Sequence, residues 1–236
     1  MPAIFLRLYL SKMYNENMKL EVPLRVDFAG GWLDVPRLSR PSSYIVNCAI
    51  TPFVTKENWP YKKCSGVGGS AAWAILNGKD AVASELGNDV GWQDPAVIQE
   101  TGLCVWKSGN RPVLEFKSNP SFLRNKMVIY WTGQEHSTKD LVDTPRDYDK
   151  IMKAGSVARS GAKNQNLSQL CVAIDFSYEV QRGEGMEALP EYGELTKKYL
   201  GSGHGGYALY IFDKTPSDSE KWTNIQPYMK FGGQNG

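Results

Sequence analysis

The chain has 236 residues and a mass of 26.3 kDa, enough for one large domain or two small ones sharing an interface. Hydrophobic residues make up 42% and charged residues 22%, the balance of a globular chain and not of a disordered one. A formal charge of +2, from 27 Lys and Arg against 25 Asp and Glu, is too small to recognise a nucleic acid or a membrane through a global field, so any bound anion must be met by local geometry.

The N-terminal stretch Ala3 to Leu10 is apolar apart from Arg7. It is too short, and too charged, for a signal peptide or a membrane span. Residues 1–17 read equally as an extra strand or as an extension upstream of a start at Met18. Leu20, Val22, Leu24, Val26 and Phe28 then alternate with other residues, which predicts a half-buried strand, with Pro23 marking an edge or a bulge. It ends in the turn Ala29-Gly30-Gly31. A second strand is expected over Tyr44 to Ile50.

Gly66-Val67-Gly68-Gly69-Ser70 is a glycine-rich turn opening directly into the helix-forming run Ala71 to Leu76. One helix is expected from there to about Glu85, stopping at Gly87-Asn88. Asp94-Pro95 predicts a helix start, a cap followed by proline, with the helix running over Ala96 to Thr101 and ending at Gly102. Leu103 to Lys107 and Pro112 to Phe116 read as a hairpin. The polar stretch Lys117 to Asn125 reads as a boundary between two halves. Met127 to Trp131 is a further strand. Lys139 to Leu141, Tyr148 to Ala158 and Asn166 to Arg182 read as helical. A second glycine loop, Gly201 to Gly206, precedes an apolar strand over Tyr207 to Phe212. The tail holds at most a short helix near Glu220.

The four cysteines, Cys48, Cys64, Cys104 and Cys171, form no CxxC pair. With only His136 and His204 beside them, a His/Cys zinc site is not expected. They read as reduced, mostly buried thiols of a cytoplasmic protein. Neither histidine is assigned a catalytic role.

A glycine turn at a helix N-terminus gathers unpaired N–H groups and the positive end of the helix dipole, which suits an anion. A plain loop capped by Ser70 fits the local pattern as well. The second loop matches GxGxxG through Gly201, Gly203 and Gly206, but a strand and not a helix follows it, so a Rossmann reading fails. What remains is a tight strand entry, or a loop pressed against a ligand or another loop. No GK[ST] occurs in either loop, so neither is a Walker A motif.

Taken in order, these segments resemble the GHMP small-molecule kinases. Pro23-Leu24-Arg25-Val26-Asp27-Phe28-Ala29-Gly30-Gly31-Trp32-Leu33-Asp34-Val35-Pro36 resembles the first motif, in the form found in the fucokinase and heptose-phosphate kinase branch. Gly66 to Ala72 resembles the phosphate loop, and Gly201 to Leu209 the third motif. Gly91-Trp92-Gln93-Asp94 and Thr132 to Lys139 resemble two further segments. The chain is shorter than usual for the family: Ile50 to Gly66 is compressed where strands shape the nucleotide pocket, and only one helix fits between Ser70 and Asp94.

The resemblance implies an α+β, two-lobed fold, with a ribosomal-protein-S5-like N-terminal half, a ferredoxin-like C-terminal half and an active site in the cleft between them. The expected divisions are an extension over 1–18, an N-terminal domain over 19–122 and a C-terminal domain over 123–236. The resemblance further implies an ATP-dependent kinase acting on a hydroxyl of a sugar or sugar phosphate, with ATP and Mg²⁺ as cofactors. Asp94 would orient or deprotonate the hydroxyl, and Arg25 would stabilise the transferring phosphoryl group or hold Asp94. Gly66, Val67, Gly68, Gly69, Ser70 and Ala71 would bind phosphate. Ser70 would ligate the metal, with Glu85, on the same expected helix, as the acidic partner. Gly31, Trp32, Asp34, Gly203, His204 and Gly205 would contact substrate, Trp32 by stacking on a pyranose face. Partners are then a sugar or sugar phosphate and ATP, with no nucleic acid or membrane, and homodimerisation left open.

Two other readings stand beside it. One is a protein of the same fold that binds ligand without phosphorylating it, which the compressed pocket favours. The other is a diphosphate decarboxylase of the same fold, which Ala29 to Pro36 argues against. Arg25, Asp34, Ser70 and Asp94 together favour the kinase.

Overall fold

The computed structural model describes residues 20–135, 144–201, 205–216 and 221–230. The extension over 1–18, His136, the helix expected at Lys139, the loop residues Gly203 and His204, and Glu220 lie outside them. Among them the strands and α-helices follow in chain order: β1 (Val22–Ala29), β2 (Tyr44–Val54), α1 (Gly69–Leu76), α2 (Ala81–Leu86), α3 (Gln93–Glu100), β3 (Leu103–Lys107), β4 (Leu114–Ser118), β5 (Met127–Trp131), α4 (Tyr148–Asn164), α5 (Leu167–Gly183), β6 (Thr196–Tyr199), β7 (Tyr207–Ile211) and β8 (Trp222–Pro227).

The strands form one antiparallel sheet in the order β4-β3-β2-β8-β5-β7-β6, with β1 on the other side of β2. The 11-residue β2 makes this possible. Its first half pairs with β3, while Ile50 and Thr51 pair with Pro227 and Gln226 of β8. Helix α4 lies across β1 and β2, and α5 across β1 and β6. The approach is close enough that a Cβ on Gly155 would sit 2.3 Å from the carbonyl oxygen of Tyr44, so only glycine fits there. One apolar core runs through both parts of the chain, joining Leu24 and Ile50 to Met127, Leu170, Leu209 and Ile225.

Several expectations are corrected. β1 is buried along its whole length, not half-buried. Its apolar side chains enter the core, while Arg25 and Asp27 face a cleft. The glycine loop shields its outer edge, where the Arg25 N–H donates to the Val67 carbonyl at 3.1 Å. The register shift between Val22 and Leu24 places a bulge at Pro23, as its proline suggests.

The single helix expected from Ser70 to Glu85 is two. Asn77-Gly78, with Gly78 at φ +67°, ends α1. The Asp80 carboxylate caps α2 by accepting from the Ala83 N–H. Asp94 is not a cap: it stands in the first turn of α3, and its side chain points to Arg25 instead.

Two strands escape the sequence reading. β6 reads Thr-Lys-Lys-Tyr, polar on paper, yet both lysines are buried because each has an acidic partner. β8 forms where at most a short helix was expected, and it bridges β2 and β5.

Candidate active site

A cleft of about 950 Å³ opens between β1, the glycine loop, the start of α3, α5 and β6. That volume suits a nucleotide together with a small acceptor. At its centre the Arg25 Nε donates to Asp94 Oδ1 at 2.6 Å. Arg25 also donates through Nη1 to the Leu200 carbonyl at 3.2 Å, reaching the residue that follows β6. Two motifs 69 residues apart thus meet in one ion pair, because β1 delivers the guanidinium and the start of α3 delivers the carboxylate.

Asp34 is buried beside them. Its Oδ2 accepts from the Gln93 N–H and its Oδ1 from Gln93 Nε2. Burial pushes its carboxyl up to about 7, reinforced by the charges of Asp94 and Asp27 and opposed by the bond from Gln93. Gly91 is pressed so closely on this carboxylate that a Cβ would fall 1.7 Å from Oδ2.

The glycine loop enters α1 through Gly68, at φ +82°, which offers no side-chain cap. The first-turn N–H groups are therefore left for an acceptor from the cleft. Gly66, Gly68, Gly69 and Ser70 line the cleft, whereas Val67 and Ala71 are buried in the core and anchor the loop. The two glycine loops press on each other: a Cβ on Gly66 would sit 2.6 Å from the Gly201 nitrogen.

Ser70 Oγ donates to Glu85 Oε1 at 2.6 Å. On one continuous helix these residues would stand about 22 Å apart. The break at Asn77-Gly78 folds α2 back and brings them together. Burial raises the Glu85 carboxyl, and the Asp94 charge adds to the rise. Among the described residues no cluster of three or more metal-ligating side chains occurs. A hydroxyl with one carboxylate still fits a magnesium ion that keeps phosphate oxygens and waters as its other ligands.

Gly31 and Trp32 also line the cleft. The Arg146 guanidinium lies 3.7 Å from the centre of the Trp32 ring, so one ring face meets a cation where a sugar was expected. Gly205 packs against the Gln134 and Glu135 carbonyls, away from the cleft wall. The sequence reading missed Asp27 and Lys198, whose carboxylate and ammonium groups pair at 2.5 Å on the cleft floor, both buried. It also missed Trp59 and Trp73, which meet edge to face beside the glycine loop.

No family model and no curated protein matches the chain. Solved structures do. The mevalonate kinase of L. major in complex with R-mevalonate aligns over 84% of this chain and 88% of its own, with a TM-score of 0.61 and 15% identity. A galactokinase of Lactococcus lactis complexed with galactose aligns over 88% and 90%, with a TM-score of 0.58 and 11% identity. A D-glycero-D-manno-heptose 1-phosphate kinase of Bacteriodes thetaiotaomicron aligns over 82% and 87%, with a TM-score of 0.52 and 14% identity. The chain has the GHMP kinase fold. The segment that resembles the family's first motif is β1 with its Gly30-Gly31 turn, the one that resembles its phosphate loop is the entry to α1, and the one that resembles its third motif precedes β7. No strand lies between Val54 and Gly69, so the GHMP kinase fold is here closed over the glycine loop by irregular backbone. The described cysteines are all free, with Cys64 exposed on the cleft wall and the other three buried. Among the described residues no helix is long and apolar enough to cross a membrane.

Proposed function

We propose that this protein is an ATP-dependent kinase that phosphorylates a hydroxyl of a sugar or sugar phosphate. The observation that carries the reading is the convergence of the Arg25–Asp94 pair with the uncapped N-terminus of α1 in one cleft. ATP with Mg²⁺ would supply the transferable phosphoryl group and neutralise part of its charge. The α1 N-terminus and the Gly66 to Ser70 backbone would hold phosphate oxygens, and Ser70 with Glu85 would hold the metal.

Asp94 keeps Oδ2 for the acceptor hydroxyl while Arg25 fixes Oδ1. A carboxylate held this way orients the hydroxyl and takes its proton as the oxygen becomes a nucleophile. Arg25 keeps positive charge at the point where negative charge develops. The missing strands between Val54 and Gly69 favour the other reading, a binding protein without transfer activity.

Calorimetry with ATP·Mg²⁺ separates the two. The kinase reading expects binding that weakens about tenfold or more in Ser70→Ala. It also expects Asp94→Asn to bind nucleotide normally while losing transfer by a factor of about 10² to 10⁴. An absence of nucleotide binding at millimolar concentrations would sink it.

A further inference from the structure

The start of α3 is poorly provided for by its own sequence. Asp94 precedes Pro95, and a residue before proline is pushed away from helical backbone. Pro95 has no N–H, so the first turn closes on the N–H of Ala96, which donates to the Trp92 carbonyl at 3.3 Å. Trp92 stands at the N-cap, but its side chain is buried and donates to the Gly109 carbonyl, so it caps nothing. The turn that carries Asp94 is held from outside. Asp34 Oδ2 accepts from the Gln93 N–H at 3.1 Å, a capping bond supplied from 59 positions away.

The carboxylate that makes this bond is oriented by a row of hydrogen bonds whose polarity is fixed at the far end. The Trp106 indole can only donate, and it donates to Asn47 Oδ1 at 2.9 Å. That leaves Asn47 its Nδ2, which donates to Gln93 Oε1 at 3.4 Å. Gln93 therefore turns Nε2 to Asp34 Oδ1, and donates to it at 3.2 Å. Asp34 meets two donors of one residue, the backbone N–H and the side-chain amide, and a side chain with two acceptor oxygens answers both. The row begins in the core, with Trp106 on β3 and the fully buried Asn47 on β2, and ends in the cleft.

We propose that Asp34 and Gln93 are positioning residues for Asp94: the row from Trp106 through Asn47 and Gln93 to Asp34 clamps the first turn of α3 and so aims the Asp94 carboxylate at Arg25 and at the acceptor. The part that concerns the acceptor rests on the kinase reading, whereas the clamp is independent of it. Asp34→Asn keeps the shape but brings one acceptor where two are needed, and Gln93 cannot turn over because Asn47 holds its Oε1. Gln93→Glu sets one carboxylate against another. Combining the two substitutions makes the row complementary again: the new amide donates to the new carboxylate, which still accepts from Asn47, and the N–H of residue 93 still finds an oxygen at position 34.

The test is NMR of the ligand-free protein at pH 8, above the value of about 7 to which burial raises Asp34. Exchange of the Ala96 amide reports closure of the first turn. The ¹³C shift of the Asp94 carboxyl reports its pairing, with Arg25→Gln as the unpaired reference. In each single variant the Ala96 amide is expected to exchange about tenfold faster, the effect of one lost helix cap, and the Asp94 shift to move toward the reference. The double variant should bring exchange back to within about threefold of wild type and restore the shift. Gly91→Ala, whose Cβ would fall 1.7 Å from Asp34 Oδ2, displaces the carboxylate without altering a polar side chain and should match Asp34→Asn. Single variants with wild-type signals, or a double variant that does not fold or stands no closer to wild type than the singles, would overturn the clamp. Turnover is read separately, as ATP consumption with galactose, mannose, fucose and their monophosphates. It should fall about tenfold or more in Asp34→Asn at unchanged nucleotide affinity, and return in the double variant. Turnover that is unaffected by Asp34→Asn, or lost and not restored, would overturn the positioning role. No turnover in the wild type would refute the kinase reading and leave the clamp to stand or fall on the NMR.

Discussion

Asp34 shows how burial turns a side chain into a pH-dependent contribution. Its carboxyl is raised from 3.8 to about 7, so the folded state holds a proton that the unfolded chain releases at lower pH. At a pH below both values the group is neutral in both states and costs nothing. The cost of folding grows as pH rises from about 4 to about 7 and is complete above that, reaching about 4 kcal/mol. Wild-type stability therefore carries a component that falls with rising pH through this window. Asp34→Asn removes the titration, so the difference in melting temperature between variant and wild type should increase from pH 4 to pH 8. A difference that stays flat across the window would show that Asp34 remains ionised when folded. At this scale the motifs named Arg25, Asp34, Ser70 and Asp94, which line one cleft, but also Gly205, which packs away from it. Arg25 and Asp94 could be paired only through the resemblance, since a separation of 69 positions hides their 2.6 Å contact. Asp27 and Lys198 stayed invisible because a charged residue in a strand ordinarily signals an exposed face, and here each charge is buried against the other.

The turns between elements carry more of the site than the elements do. α1 and α2 were expected as one helix because Ala recurs through the stretch and a single Gly78 is a weak stop signal. The break is what sets Ser70 on Glu85. The meeting of the two glycine loops was among the open alternatives for the second loop, and the geometry selects it. Gly66 stands at φ +77°, and an added Cβ would sit 2.6 Å from the Gly201 nitrogen and 2.7 Å from its Cα. Gly66→Ala therefore meets two penalties, left-handed backbone strain and a clash with backbone that has no flexible end to yield. The expected outcome is a loss of about 1–3 kcal/mol in denaturant unfolding, together with weakened nucleotide binding as the loops separate. Gly78→Ala is the control. It carries similar backbone strain at φ +67° but has nothing within 4 Å of its added Cβ, so it should cost less. Equal losses in the two variants would show that loop contact contributes nothing.

The resemblance implied two lobes, whereas the observed packing ties them through a shared strand and a shared core. β8 comes from the end of the chain, pairs with β5, and continues onto Ile50 and Thr51 of β2. α4 and α5 follow the expected boundary near residue 122, yet α4 lies on β1 and β2, which precede it, and α5 packs on β1 as well as on β6. Sequence order gives successive sets of strands and helices on either side of residue 122. It could not report the cross-pairing, because β8 has a weak strand pattern and its partners lie far away in the chain. A core continuous from Leu24 through Met127 to Ile225 joins the two parts, beside a smaller cluster around Val128, Tyr199 and Tyr210 in the later one. The expected behaviour is one cooperative unfolding transition, with equal calorimetric and van't Hoff enthalpies. Amides of β3 and β7, toward opposite ends of the sheet, should exchange with the same opening free energy. Two resolved transitions, or β7 amides that exchange while β3 stays protected, would show that the lobes fold as separate units. A single transition has a consequence for the site. Arg25 reaches Leu200, and Asp27 reaches Lys198, across the join between the parts, so a variant that loosens β8 should weaken ligand binding without altering any residue of the cleft.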